Sequence, residues 1–223
     1  DGAKAVEARF VATTPTGVQL RRTFTLPRGS YALRVRDELA NTGSGTWAGD
    51  VERRLERVPP VVKSGMTNPE AFSLNGAAWW SPEEKYEKRK YPKFVEDGPL
   101  NLEVTGGWIG LSQHYFLAAW IPQKDQGALY SLGANGPLYR VDARGPHVTL
   151  GPGQQIGSDA TLWVGPKLAD QLEATAPGLE RAIGALAAEA APAALGVGLI
   201  NLESGEAFLF KGERRFPMMS IFK

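Results

Sequence analysis

Tyr115-Phe116-Leu117-Ala118-Ala119-Trp120-Ile121 is apolar throughout, the pattern of a strand covered on both faces, and it marks the predicted centre of the core. Elsewhere the apolar residues alternate. From Val18 to Leu26 they fall at Val18, Leu20, Phe24 and Leu26, with Gln19, Arg21, Thr23 and Thr25 between them, as in a half-buried strand. Pro27-Arg28-Gly29-Ser30 supplies a turn, and Tyr31, Leu33 and Val35 resume the alternation against Arg34 and Arg36. Trp47, Val51 and Leu55 make one further strand, with Asp50, Glu52, Arg54 and Glu56 outward. Short strands are also expected at Leu100–Thr105, Leu129–Leu132, Leu138–Val141, His147–Leu150 and Ala160–Val164. Such spacing with Gly and Pro punctuation predicts a mainly β fold, a large sandwich. Five acids and five bases between Ser81 and Asp97 cancel locally, so that stretch is expected to be a solvated connection.

The pattern changes at Gly165. Pro166 suits a first helical turn, Leu168, Leu172 and Thr175-Ala176 share one helical face, and Pro177-Gly178 stops it. Leu179, Ile183, Leu186 and Ala190 predict a second amphipathic helix that Pro192 ends. Gly196–Asn201 and Ala207–Phe210 then read as a fresh β-hairpin. A boundary falls near Pro177–Arg181, dividing the chain into a sandwich with its helix, residues 1–178, and a second piece, residues 179–223.

The chain has 223 residues, 43% hydrophobic and 22% charged, which excludes wholesale disorder. A formal charge of +1 gives no electrostatic footprint for nucleic acid. The absence of cysteine excludes disulfides, a thiolate metal site and a cysteine nucleophile. Ile183–Ile200, the most apolar stretch, is broken by Glu189 and Pro192 and does not suit a membrane span. The chain has no initiator Met or leader-like start and ends on Lys223 in mid-pattern, so it reads as an excerpt.

Gly106-Gly107-Trp108-Ile109-Gly110-Leu111-Ser112-Gln113-His114 followed by Tyr115–Pro122 resembles the central signature of the large periplasmic domain of the YidC membrane protein insertases. Phe24–Trp47 with its Pro27–Tyr31 turn, Ser81–Lys88, and Leu162–Lys167 agree with that family in order, which makes the resemblance specific. It implies a twisted, mutarotase-like β-supersandwich closed by an α-helical linker, at the periplasmic face of the bacterial inner membrane. It further implies a non-catalytic accessory domain contacting Sec translocon components and nascent membrane proteins. The family's membrane core, which carries insertion, has no counterpart after Leu179.

Could the sandwich be an enzyme? Mutarotase-type chemistry needs a general acid and base across a sugar ring, and the chain has only His114 and His147. His114 is expected to be a core-edge histidine. Trp108, Trp120 and Trp163 fit strand patterns and the core, and a sugar-binding sandwich ranks last. Trp79-Trp80 is the better candidate for an exposed apolar contact, with an infolded loop as the equal alternative. No cofactor or metal is expected.

Residues 179–223 resemble the start of a class A serine β-lactamase: a helix, a hairpin, then Arg214-Arg215-Phe216-Pro217-Met218-Met219-Ser220-Ile221-Phe222-Lys223. Ser220 and Lys223 form S-x-x-K, in which the serine is the acylated nucleophile and the lysine, one helical turn on, eases its deprotonation. S-D-N and K-T-G do not follow in this chain, so no turnover is expected from it. The two resemblances together imply a chimera, whose alternative function is that of a truncated β-lactamase with a β-lactam as ligand. The tail is expected to be mobile or docked on the sandwich.

Overall fold

A computed structural model describes residues 2–61 and 74–183, and the backbone of 197–200 and 207–210. In chain order the strands are β1 (Ala5–Thr13), β2 (Val18–Pro27), β3 (Ala32–Asn41), β4 (Trp47–Gly49), β5 (Glu52–Arg57), β6 (Gly76–Ser81), β7 (Lys85–Lys90), β8 (Asn101–Thr105), β9 (Trp108–Ser112), β10 (Phe116–Pro122), β11 (Gly127–Asn135), β12 (Leu138–Arg144), β13 (Val148–Leu150) and β14 (Gln155–Pro166). Helix α1 (Lys93–Glu96) follows β7, and α2 (Ala169–Thr175) follows β14. Eight strands form one antiparallel sheet in the order β1-β2-β3-β14-β10-β9-β6-β7, and four form a second, β5-β12-β11-β8. β13 pairs with β4, and β15 (Val197–Ile200) pairs with β16 (Ala207–Phe210) as a hairpin running from Val197↔Phe210 to Ile200↔Ala207.

The main core lies between the two large sheets. Val35, Trp79, Ile109, Leu111, Trp120, Ala160 and Leu162 from the eight-stranded sheet meet Val104, Tyr130, Leu132 and Val141 from the four-stranded one. Because side chains alternate across a pleated sheet, the neighbours of these residues point to the other face. There Trp108, Leu117, Ala119 and Trp163 pack beneath Leu172 of α2 and beneath Ala176, Leu179, Ala182 and Ile183 after it. β10 is therefore covered on both faces, as its unbroken apolar run predicts. In its centre Gly110 of β9 is required: a Cβ there would run into the Ala118 carbonyl and the Ala119 side chain.

Several expectations need correction. Ser81–Asp97 is no solvated connection: it holds β7 and α1, and Tyr91 and Phe94 are buried in the main core. The expected strand through Trp47, Val51 and Leu55 is two strands in two sheets, with Arg53 buried on the inward side. Tyr115 precedes β10 and is exposed, as is Phe116. β1, β6 and β9 are additional strands. After a turn at 177–180 the second predicted helix begins at 181–183, and its remainder lies outside the described residues.

Burial without a hydrogen-bond partner pushes the phenols of Tyr130 and Tyr91 above the ordinary tyrosine range, Tyr130 more strongly. Above about pH 10 the unfolded chain loses these protons while the folded chain keeps them, so stability falls as pH rises. Tyr130, the more strongly shifted, sets a limiting slope of about 1.4 kcal/mol per pH unit in that window. Denaturant titrations across it should show a falling midpoint for the parent and a shallower fall for Tyr130→Phe; equal slopes would contradict the assignment.

Candidate functional site

The outward face of the eight-stranded sheet changes character along its strands. Ala32, Trp163 and Ala119 are in register and lie under a helical cap formed by α2 and residues 176–183. Two residues along, the register aligns Thr25, Arg34, Thr161 and Ile121 across β2, β3, β14 and β10. The next outward row is Thr23, Arg36 and Asp159, and beyond it stand Arg21, Glu38 and Gly157. Apolar side chains thus give way to hydroxyls and charges where the cap ends.

The row of Thr25, Arg34, Thr161 and Ile121 and the row of Thr23, Arg36 and Asp159 floor a cleft of about 700 Å3 that is also lined by Trp80, Trp108, Lys124 and the end of the cap at Thr175–Pro177. The cap is held by the tryptophans forming this wall. Trp108, fully buried, donates its indole N–H to the Pro177 carbonyl at 3.2 Å. Gly178 has φ +72°, and a Cβ there would strike the Trp80 ring, so glycine is needed for both the turn and the approach. The Lys85 ammonium lies 5.9 Å from the Trp80 ring centroid.

Electrostatically the cleft is cationic. Arg36 Nη1 donates to both oxygens of Asp159, at 3.1 and 2.9 Å, which occupies the one carboxylate in the lining. The side chains of Arg34 and Lys124 have no ion-pair or hydrogen-bond partner among the described residues. With its carboxylate paired and no histidine in the lining, the cleft holds no group placed as a general base.

His114 lies instead beside Tyr115, ring centroids 3.9 Å apart. His147 shares a 2.9 Å hydrogen bond with Asp50 in a second cleft beside Glu83, Glu103 and Arg144. The described residues contain no cluster of metal-binding type, and no helix among them is long and apolar enough to cross a membrane. Trp79 is core and Trp80 half-buried, so the tryptophan pair divides between the two faces of β6. Ser220 and Lys223 lie outside the described residues.

A polar cluster that the strand patterns did not announce lies on the inward face. Asp37, completely buried, accepts from Arg22 Nε and, at 3.2 Å, Arg22 Nη2, and from Arg53 Nη2 at 2.9 Å. Arg53 Nη2 also reaches Ser158 Oγ at 3.0 Å, and Ser158 Oγ lies 3.3 Å from Gln126 Oε1. Burial pulls the Arg53 guanidinium below its ordinary range, and Asp37 opposes this. The cluster ties β2, β3 and β14 to β5 across the sandwich.

Residues 1–184 match the family model described as the YidC periplasmic domain. The membrane protein insertase YidC of Xanthomonas campestris pv. campestris (strain 8004) is 48% identical over 183 residues, 82% of this chain and 32% of the relative. That of Stenotrophomonas maltophilia (strain R551-3) is 44% identical over the same shares. The chain thus spans about a third of the length of the curated relatives it matches. Among solved structures, a GH36 α-galactosidase from Geobacillus stearothermophilus superposes with a TM-score of 0.51 at 11% identity, covering 73% of this chain and 24% of that one. This last likeness concerns the fold alone.

Proposed function

Because the chain belongs to the YidC periplasmic domain family, we propose that it serves as a non-catalytic accessory domain of a membrane protein insertase at the periplasmic face of the inner membrane. In this reading it contacts emerging membrane proteins and components of the Sec translocon. The observation that carries it is the cationic cleft under the helical cap, which offers walls and a floor for a ligand and no acid–base pair for chemistry. A photoreactive side chain at exposed Gln123, inside the cleft, tests it in the intact protein in its own cell. Adducts with newly made membrane proteins or translocon subunits are expected several-fold above those from Asn135, at the exposed end of β11. Equal yields at the two positions would remove the cleft from the interaction.

For residues 179–223 the second reading is a fused β-lactamase front with Ser220 as nucleophile and Lys223 as its activator. It is favoured by the Arg214–Lys223 sequence and by the paired β15 and β16. The domain boundary then falls near 178, while packing against the sandwich continues to Ile183. An acyl adduct on Ser220 after incubation with a penicillin, read by intact mass, would transfer the function to the tail.

A further inference from the structure

We propose that the cleft beneath the cap recognises acidic, extended polypeptide, with Arg34 on the floor and Lys124 at the rim as the residues that read its carboxylates. The proposal rests on the accessory-domain reading for the source of the peptide. Its chemistry comes from the cleft alone.

Arg36 and Arg21 face their own acids, Asp159 and Glu38, within their rows. Arg34 and Lys124 have none, so the cleft carries two uncompensated positive charges. A guanidinium keeps its charge at every working pH and offers a fork that matches a carboxylate. Thr25 and Thr161 flank Arg34 in register on either side, adding hydroxyls that can meet a peptide backbone. Trp80, Pro82, Ile121 and Pro177 supply apolar walls for the side chains between the acids. The floor crosses four strands, about 14 Å, the reach of four or five extended residues.

The same chemistry selects a translocated segment. Loops retained in the cytoplasm carry an excess of Lys and Arg, so the segments that cross are poor in both and their acids go unneutralised. A cleft with spare cations attracts such segments and gives no partner to basic ones. A bilayer of anionic lipid presents a flat surface, which fits this recessed floor less well than a single chain does.

The test uses the whole 223-residue chain and a capped peptide of about twelve residues made of Asp, Leu, Ser and Thr, with its Asp→Asn counterpart as the neutral control. Binding is read by fluorescence anisotropy of the labelled peptide. The acidic peptide is expected to bind about tenfold tighter, the factor one charge-assisted hydrogen bond supplies, and salt should erode the difference. R34Q and K124Q each change an exposed side chain. R34Q should abolish most of the preference and K124Q reduce it, both with an unchanged unfolding midpoint. Equal affinity for the two peptides, or a preference unchanged in R34Q, overturns the proposal. So does Arg34-dependent binding to phosphatidylglycerol vesicles by a protein that ignores the peptide. If Gln123 adducts with emerging chains appear in the cell while the two peptides bind alike, the accessory-domain reading stands and only the acidic preference falls.

Discussion

Replacing Asp37 by alanine is expected to destabilise the domain by about 3–5 kcal/mol, the largest loss available from one polar side chain here. The carboxylate is completely buried between Arg22 and Arg53, and Arg53 is itself only 1% exposed. Without it two guanidinium groups confront each other across the sandwich, and Arg53 keeps only its contacts to Ser158. The cost is that of stranding buried charge, which exceeds what the intact cluster contributes over a well-packed apolar replacement. Removing both cations as well, in Asp37→Ala with Arg22→Met and Arg53→Met, should therefore recover much of the loss. Guanidinium unfolding of the single and triple variants reads both effects. A single variant within 1 kcal/mol of the parent, or a triple variant worse than the single, would show that Asp37 does not neutralise this cluster.

This cluster also shows where strand patterns become illegible. Each member interrupts an inward row in phase: Arg22 between Leu20 and Phe24, Asp37 between Val35 and Leu39, Arg53 between Val51 and Leu55. A charge in an apolar row is visible in sequence. That three such interruptions meet is decided by the pairing of β2, β3 and β14 and the placing of β5 opposite them, which no local period encodes. The cleft is hidden for the same reason, since Thr25, Arg34 and Thr161 are ordinary solvent-side residues until register aligns them. The hairpin β2–β3, the doubly covered β10 and the helix that Pro177-Gly178 stops were legible because each rests on neighbours in sequence: a turn, an apolar run, a spacing of four. The helix start was not, since Pro166, which suits a first helical turn, is instead the last residue of β14, and α2 begins at Ala169. β1 was not, since it pairs only with β2 and every residue of it is exposed, so burial imposes no alternation. β7 was masked by its own charges: Lys85, Lys88 and Lys90 protect a sheet edge from further pairing, which reads locally as a loop.

Trp108→Ala is expected to cost about 3–5 kcal/mol and, unlike a core truncation of the same size, to release the helical cap first. Trp108 is fully buried in the outer cluster, its ring centroid 6.0 Å from that of Tyr86. Its indole N–H satisfies Pro177, the residue at which the chain turns from α2 toward Leu179. Truncation removes the ring that the cap rests on and frees a carbonyl at the turn, both on one face of the sheet. Trp120→Ala makes a comparable hole on the opposite face, between the sheets, where the cap has no contact. Amide exchange should then distinguish two variants of similar global stability: Leu172–Ile183 opens early in Trp108→Ala and only with global unfolding in Trp120→Ala. Because the cap end walls the cleft at Thr175–Pro177, peptide affinity should fall in the first variant under conditions where both remain folded. If exchange at Leu172–Ile183 stays locked to that of β11 and β12 in both, the cap and sandwich form one cooperative unit and the cleft wall cannot open by itself.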